Sequence, residues 1–256
     1  MTWPVVAAAA AAAVFAAGWV RAQVFIHSMP PQQPWRTACP HCQHPVITSG
    51  HAWAWLPRSR CPHCRHRIGP RATVVEAVTV SAVALLAWTV NDPLVLSAFL
   101  VFAVAGGALA FIDLAVRRLP DRLTVPAFTV AATLLAIDAI WHHRLADGVG
   151  AFGGAVASAG FYLLLAFIAG GGMGDVKLAL GTGLLLGWHG WAAVLLGVTA
   201  GFALTALFAA AMVLAGRLKR GDHLAHGPGM LAATLAVTVI ADSVASFEIS
   251  DTFSAP

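Results

Sequence analysis

Asp113, in Phe111-Ile112-Asp113-Leu114, and Asp175, in Gly172-Met173-Gly174-Asp175, are the residues of this 256-residue chain best placed to do chemistry. Each sits at the end of an otherwise apolar segment, where an ionisable group is costly and marks a functional site by default. Two carboxylates brought to one site from two segments suit acid–base hydrolysis of a peptide bond. They share one proton: the charged member takes a proton from water, and the protonated member donates to the scissile carbonyl and then to the leaving amine. The glycines around Asp175 let an extended substrate backbone come close. Asp113 and Asp175 are therefore the candidate catalytic pair, with Gly172, Gly174 and Lys177 as candidate substrate-binding residues.

The elements that must position them are membrane helices. The chain is 59% hydrophobic and only 10% charged, with a mean hydropathy of +0.79, which excludes an ordinary soluble domain. A membrane helix needs roughly 20 mostly apolar residues. Such runs predict an all-α polytopic membrane protein with about eight helices, near 3–20, 73–91, 95–114, 123–141, 149–169, 175–188, 191–215 and 227–246. The connections then alternate sides, and 14 of the 15 Lys and Arg fall on one face, with only Arg144 on the other. The positive-inside rule makes the crowded face cytosolic and puts both termini outside. That asymmetry explains the pI near 9.2 without nucleic acid. The first segment reads as a span rather than a secretory leader, because no basic stretch precedes its apolar run.

Four units follow: a first transmembrane helix over 1–20, a small cytosolic loop over 21–72, a transmembrane core over 73–246 and a tail over 247–256. The loop holds all four cysteines, as Cys39-Pro40-His41-Cys42 and Cys61-Pro62-His63-Cys64, 18 residues apart. That spacing suits a four-thiolate zinc site, each knuckle giving two sulfurs to the tetrahedron. A reducing cytosol disfavours disulfides between the same residues. Four cysteines leave no open coordination position, so the Zn²⁺ is expected to be structural, and a loop this small depends on it. Its basic residues lack the aromatic interleaving of a nucleic-acid surface and suit anionic lipid instead.

The remaining acids have quieter explanations. Asp121, in Leu119-Pro120-Asp121-Arg122, suits the start of the fourth helix and is the main rival to Asp113. Asp138 lies toward the opposite end. Asp92, Asp147, Asp222, Asp242 and Asp251 fall at loops or boundaries, and Glu76 suits the dipole at the start of the second helix. No Ser-His-Asp set and no HExxH motif is present.

With these residues in view, the chain resembles the prepilin peptidases, or type IV leader peptidases, a family of intramembrane aspartyl proteases. The matching stretches run in the family's order: the paired CxxC loop ending at Cys64 and leading through Arg71-Ala72-Thr73 to Glu76; Ile112-Asp113 with Leu119-Pro120-Asp121-Arg122-Leu123-Thr124; Gly172-Met173-Gly174-Asp175-Val176-Lys177-Leu178; and Gly227-Pro228-Gly229. The resemblance implies removal of the short leader from type IV prepilins or type II secretion pseudopilins at the cytosolic face of the bacterial inner membrane, with Asp113 and Asp175 as the catalytic pair. It also implies, for many members, N-methylation of the new N-terminus from S-adenosylmethionine. The chain departs from the family at Phe25-Ile26-His27-Ser28-Met29-Pro30, which lacks the usual asparagine and arginine, and at Gly229 where the family has phenylalanine. These departures bear on methylation and substrate docking, not on the aspartate pair.

Two other readings use the same topology. A non-catalytic scaffold would dock pilus components through the zinc loop and leave the aspartates idle. A transporter would use acids as a proton relay, but these should lie near mid-membrane on broken or repeated helices. Nothing in the pattern speaks to oligomeric state.

Overall fold

The computed structural model describes residues 3–30, 33–48, 51–52, 60–71, 73–217 and 224–254. Arg58, Ala72, Lys219, Arg220 and Asp222 lie outside the described residues. Among the described residues eight helices carry the fold: α1 Trp3–His27, α2 Val74–Thr89, α3 Pro93–Val116, α4 Asp121–Trp141, α5 Leu145–Ala169, α6 Met173–Trp188, α7 Trp191–Leu214 and α8 Gly227–Ser254. Two two-residue strands, β1 Ile47–Thr48 and β2 His51–Ala52, pair antiparallel between α1 and α2. Six helices, α1, α3, α4, α5, α7 and α8, contain stretches long and apolar enough to cross a membrane, whereas α2 and α6 have 16 residues each. Large apolar side chains face outward along them, among them Phe15, Phe167 and Leu214. A surface this apolar suits hydrocarbon rather than water.

The first helix differs from its expected end at residue 20 and runs on to His27. The charge that suggested a stop, Arg21, is 4% exposed and binds Glu76 of α2 through both Nε and Nη2, at 2.7–3.0 Å. A bidentate partner satisfies the guanidinium in place of water, so the helix continues. Its added turns give the loop a wall: Ala22 and Phe25 pack in one buried cluster with Cys39, Val46, Cys61 and Ile68. Asp242 also differs from its expected place at a boundary. It lies within α8, and its Oδ1 is 3.8 Å from His189 Nδ1.

Two contacts set the position of α6 against its neighbours. On α5 and α6, Gly150 and Gly154 face Gly187 and Gly183, and a Cβ on Gly183 or Gly187 would run into the carbonyl oxygen of Gly154 or Gly150. Small residues four apart on both helices allow this backbone approach, as in other membrane helix pairs. Gly181 does the same against the Phe102 ring of α3. The main core, including Phe99, Phe102, Leu109, Ile112 and Leu178, lies along α3 and α6 and leads to the aspartates.

Candidate active site

The end of α3 and the start of α6 bring the two aspartates to one end of the bundle. Asp92 caps α3, accepting from the backbone N–H of Leu94 and Val95 at 3.0 and 3.3 Å. The helix closes when Arg117 turns left-handed at φ 53° and its N–H bonds to Asp113 O at 2.8 Å. Asp113 thus occupies the last turn. α4 starts directly after Pro120, so the chain doubles back beside it. On the other side, Gly170 closes α5 at φ +71°, a left-handed conformation that glycine takes without steric penalty, and Gly172 precedes the first residue of α6.

Asp113 and Asp175 line the same cavity, of about 720 Å³, and lie within electrostatic reach of each other. Asp113 is 6% exposed, and its Oδ2 accepts the N–H of Gly227, the first residue of α8, at 3.1 Å. A Cβ on Gly227 would stand 2.8 Å from that oxygen, so the contact requires glycine. Asp175 is partly buried, and among the described residues its carboxylate has no hydrogen bond and no ion pair.

The cavity is not short of cations, but they are engaged elsewhere. Lys177 Nζ donates to Asp121 Oδ1 at 2.6 Å. The Arg122 guanidinium lies 4.0 Å from the centre of the Trp35 ring, and Arg118 donates to Met29 O at 3.3 Å. Among the described residues no ion pair joins either Asp113 or Asp175 to a cation. Asp121, the rival on sequence, is 60% exposed and held by Lys177, so it borders the cavity as half of a surface pair. Of the candidate substrate-binding residues, Gly172, Gly174 and Lys177 all line the cavity, and a Cβ on Gly174 would stand 3.3 Å from Leu119.

The loop also contributes to this cavity. His27 and Trp35 line it, with their rings 5.0 Å apart. His27 stands in the stretch Phe25-Ile26-His27-Ser28-Met29-Pro30 read on sequence as a departure bearing on docking, whereas Trp35 was not singled out. Trp35 carries no motif, and only its pairing with Arg122 across the fold reveals its place.

The cysteines form a separate centre. Cys39 Sγ lies 3.7 Å from Cys64 Sγ, and Cys42 Sγ 3.7 Å from Cys61 Sγ, with all four sulfurs within 4.8 Å of one another. Zn–S bonds of about 2.3 Å place the sulfurs of a regular tetrahedron about 3.8 Å apart, so the donor set fits Zn²⁺. A disulfide needs about 2.05 Å, and the cysteines are free. The two knuckles repeat one another. Cys39 N bonds to His44 O and Cys61 N to His66 O, at 2.9 and 2.8 Å, while Gln43 and Arg65 both turn left-handed at φ 57° and 59°. His41 stacks on His66 and His44 on His63, at 4.9 and 5.3 Å, so the histidines brace the knuckles and are not needed as ligands. The signal was legible as Cys-Pro-His-Cys-x-His, written twice.

The opposite end of the bundle holds a different acid cluster. Arg144 bonds to both Asp92 and Asp138, and His142 Nδ1 lies 2.9 Å from Asp138 Oδ1. Asp138 is fully buried there.

The comparisons with known proteins agree with this geometry. Residues 95–216 match the model of the type IV leader peptidase family, and residues 20–90 match that of the bacterial peptidase A24 N-terminal domain. The chain is 30% identical over 238 residues to the prepilin leader peptidase/N-methyltransferase of Aeromonas hydrophila, covering 84% of this chain and 75% of the relative. It is 32% identical over 163 residues to the protein of that name from Dichelobacter nodosus, covering 59% and 54%, and 28% identical over 223 residues to that of Aeromonas salmonicida, covering 84% and 75%. No solved structure matches the chain. A pair of aspartates at the ends of apolar helices, a paired CxxC loop and these matches over most of its length lead to one conclusion: the chain belongs to the type IV leader peptidase family.

Proposed function

We propose that this protein is an aspartyl endopeptidase of the bacterial inner membrane that removes the leader of type IV prepilins or type II secretion pseudopilins, with Asp113 and Asp175 as its catalytic pair. The observation that carries this reading is the cavity they share, where neither has a cation partner among the described residues. Paired carboxylates without a counter-ion hold one proton between them. The charged member removes a proton from water as its oxygen attacks the scissile carbonyl. The protonated member donates to the carbonyl oxygen, and collapse of the tetrahedral intermediate passes a proton to the departing amine.

The cavity lies at the end of the bundle that also carries the cysteine loop. The distribution of Lys and Arg supports a cytosolic position for this end and an outside position for both termini. A substrate with a basic leader followed by an apolar helix would partition with its junction at that depth, within reach of Gly172 and Gly174. Lys177 serves there through Asp121, as a fixed edge of the cavity. The role of Cys39, Cys42, Cys61 and Cys64 is to hold a structural Zn²⁺, which keeps the loop and Trp35 against the site and takes no part in bond breaking.

The names of the relatives support a second activity, N-methyl transfer; the family resemblance adds S-adenosylmethionine as donor and the new N-terminus as acceptor. No residue of the cavity is assigned to that co-substrate. Co-expression with prepilins from the same cell, read by mass spectrometry, tests both activities. Loss of the leader mass supports the peptidase, and a further methyl mass supports the transferase. Intact precursor with several prepilins, and protein present in the membrane, would favour the scaffold reading.

A further inference from the structure

His226 immediately precedes Gly227 and its carbonyl accepts the first bond of α8, from Met230 N at 3.2 Å. Its ring is held at both nitrogens: Nε2 lies 2.8 Å from the Tyr162 hydroxyl of α5, and Nδ1 lies 2.8 Å from Thr205 Oγ1 of α7. Phe202 of α7 stacks on the imidazole at 4.6 Å and on the Tyr162 ring at 5.6 Å. Two helices, α5 and α7, thus fix the residue that leads into α8.

Proton counting gives this chain a direction. Thr205 donates its single hydroxyl proton to Gly201 O at 2.9 Å, so its oxygen must accept from His226 Nδ1–H. His226 Nε2 then carries the lone pair and accepts from the Tyr162 hydroxyl. Each of the three donors has one acceptor, and only the neutral Nδ1–H tautomer satisfies all of them. Burial holds His226 below its ordinary range, in keeping with a neutral ring. The next turn is equally constrained, since a Cβ on Gly229 would collide with Thr205 Oγ1.

This group lies next to the aspartate pair. The Gly227 N–H beside it is the donor to Asp113 Oδ2, and Tyr162 lies within electrostatic reach of Asp175. We propose that His226, locked between Tyr162 and Thr205, is a positioning residue that holds the Gly227 N–H against Asp113 and so sets the geometry of the pair. This rests on the reading of Asp113 and Asp175 as catalytic. His226 itself takes no proton from substrate. The groups facing its ring are Tyr162, Thr205 and Phe202; Asp113 accepts the neighbouring Gly227 N–H, and Asp175 lies within electrostatic reach of Tyr162.

Cleavage kinetics on a prepilin, measured with the full chain in detergent, test the proposal. A misplacement of the order of 1 Å costs about 10²-fold in rate, so His226→Ala lowers kcat by about that factor and leaves KM within about twofold. Tyr162→Phe, which removes only the hydroxyl, has a smaller effect in the same direction. The double variant is no worse than His226→Ala, as expected for residues acting through one joint. His226→Asn keeps an N–H toward Thr205 and recovers most of kcat. Histidine ¹⁵N spectra show the signal lost in His226→Asn to be an Nδ1–H tautomer, with its Nε2 resonance moved by Tyr162→Phe.

Wild-type kcat in His226→Ala, or equal loss in the Ala and Asn variants, overturns the positioning role while the aspartate variants remain inactive. Cleavage by Asp113→Asn would instead remove the aspartate reading and the role of His226 with it.

Discussion

The two ends of the helix bundle treat their buried acids in opposite ways. At one end Asp138, fully buried, is held by Arg144 and His142, and Asp92 both caps α3 and binds Arg144. At the other, Asp113 has a single peptide N–H and Asp175 has neither hydrogen bond nor ion pair among the described residues, although four cations line the same cavity. Asp92 and Asp138 at the first end are each neutralised by Arg144 within the fold. At the second, Asp121, Trp35 and Met29 occupy Lys177, Arg122 and Arg118. A carboxylate paired with arginine is a poor base and cannot carry a proton. On the proposed reading of Asp113 and Asp175 as an acid–base pair, diverting the cations preserves that capacity.

The comparison breaks most sharply at Gly227. In Gly227→Ala a Cβ would press on Asp113 Oδ2 from 2.8 Å and displace the one N–H that holds it among the described residues. The expected result is a loss of about 10²-fold in kcat with normal membrane insertion, since alanine is the better helix former. A melting curve beside the kinetics separates the two effects.

Arg144→Gln attacks the other end. It leaves Asp138 buried without its cation, and breaking a buried pair costs about 3 kcal/mol. At roughly 2–4 °C per kcal/mol for a chain of this size, Tm falls by several degrees, while cleavage per folded molecule stays at the wild-type level. Adding Asp138→Asn restores part of Tm. Loss of activity in proportion to neither folding nor insertion would show that the two ends are not independent.

The zinc loop sharpens the comparison from outside the bundle. Purified protein should carry about one Zn²⁺ per chain, and Cys61→Ser should release it. Metal content falls, the loop becomes sensitive to protease, and KM rises because Trp35 no longer walls the cavity, with kcat less affected. Unchanged protection without zinc would argue that α1 alone holds the loop.

The smallest effect concerns His189, at the end away from the aspartates. Burial pushes its pKa down to about 4, with Asp242 3.8 Å away. The unfolded chain binds a proton at His189 near pH 6.5 and the folded chain does not until about pH 4. The contribution of His189 to stability therefore falls as pH drops from about 6.5 toward 4 and levels off below. His189→Gln should flatten that part of a Tm-against-pH curve and leave cleavage at neutral pH unchanged.

The helices and the donor residues were legible because both depend on local pattern. Apolar runs of span length mark membrane helices, two CxxC knuckles mark a zinc site, and an aspartate at the end of an apolar run stands out by its cost. What was not legible depends on partners distant in sequence. Arg21 looked like the end of a span because Glu76, which neutralises it, is 55 residues away. Asp242 looked like a boundary residue for the same reason, its neighbour His189 standing just after α6. Trp35 and His226 carry no motif, and their places follow from Arg122, Tyr162 and Thr205. Asp113 and Asp121 were separable on sequence only by resemblance. The fold distinguishes them by burial and by the cation that one of them holds.

The central claim is that the cation-free pair cuts the leader. Purified wild type, Asp113→Asn and Asp175→Asn, each reconstituted in liposomes with a prepilin and followed by mass spectrometry, test it most directly. Acid–base groups of this kind contribute on the order of 10²–10⁴-fold. The account predicts leader release by wild type alone, with both variants inserted and melting like wild type. Leader release at the wild-type rate by either variant would contradict it.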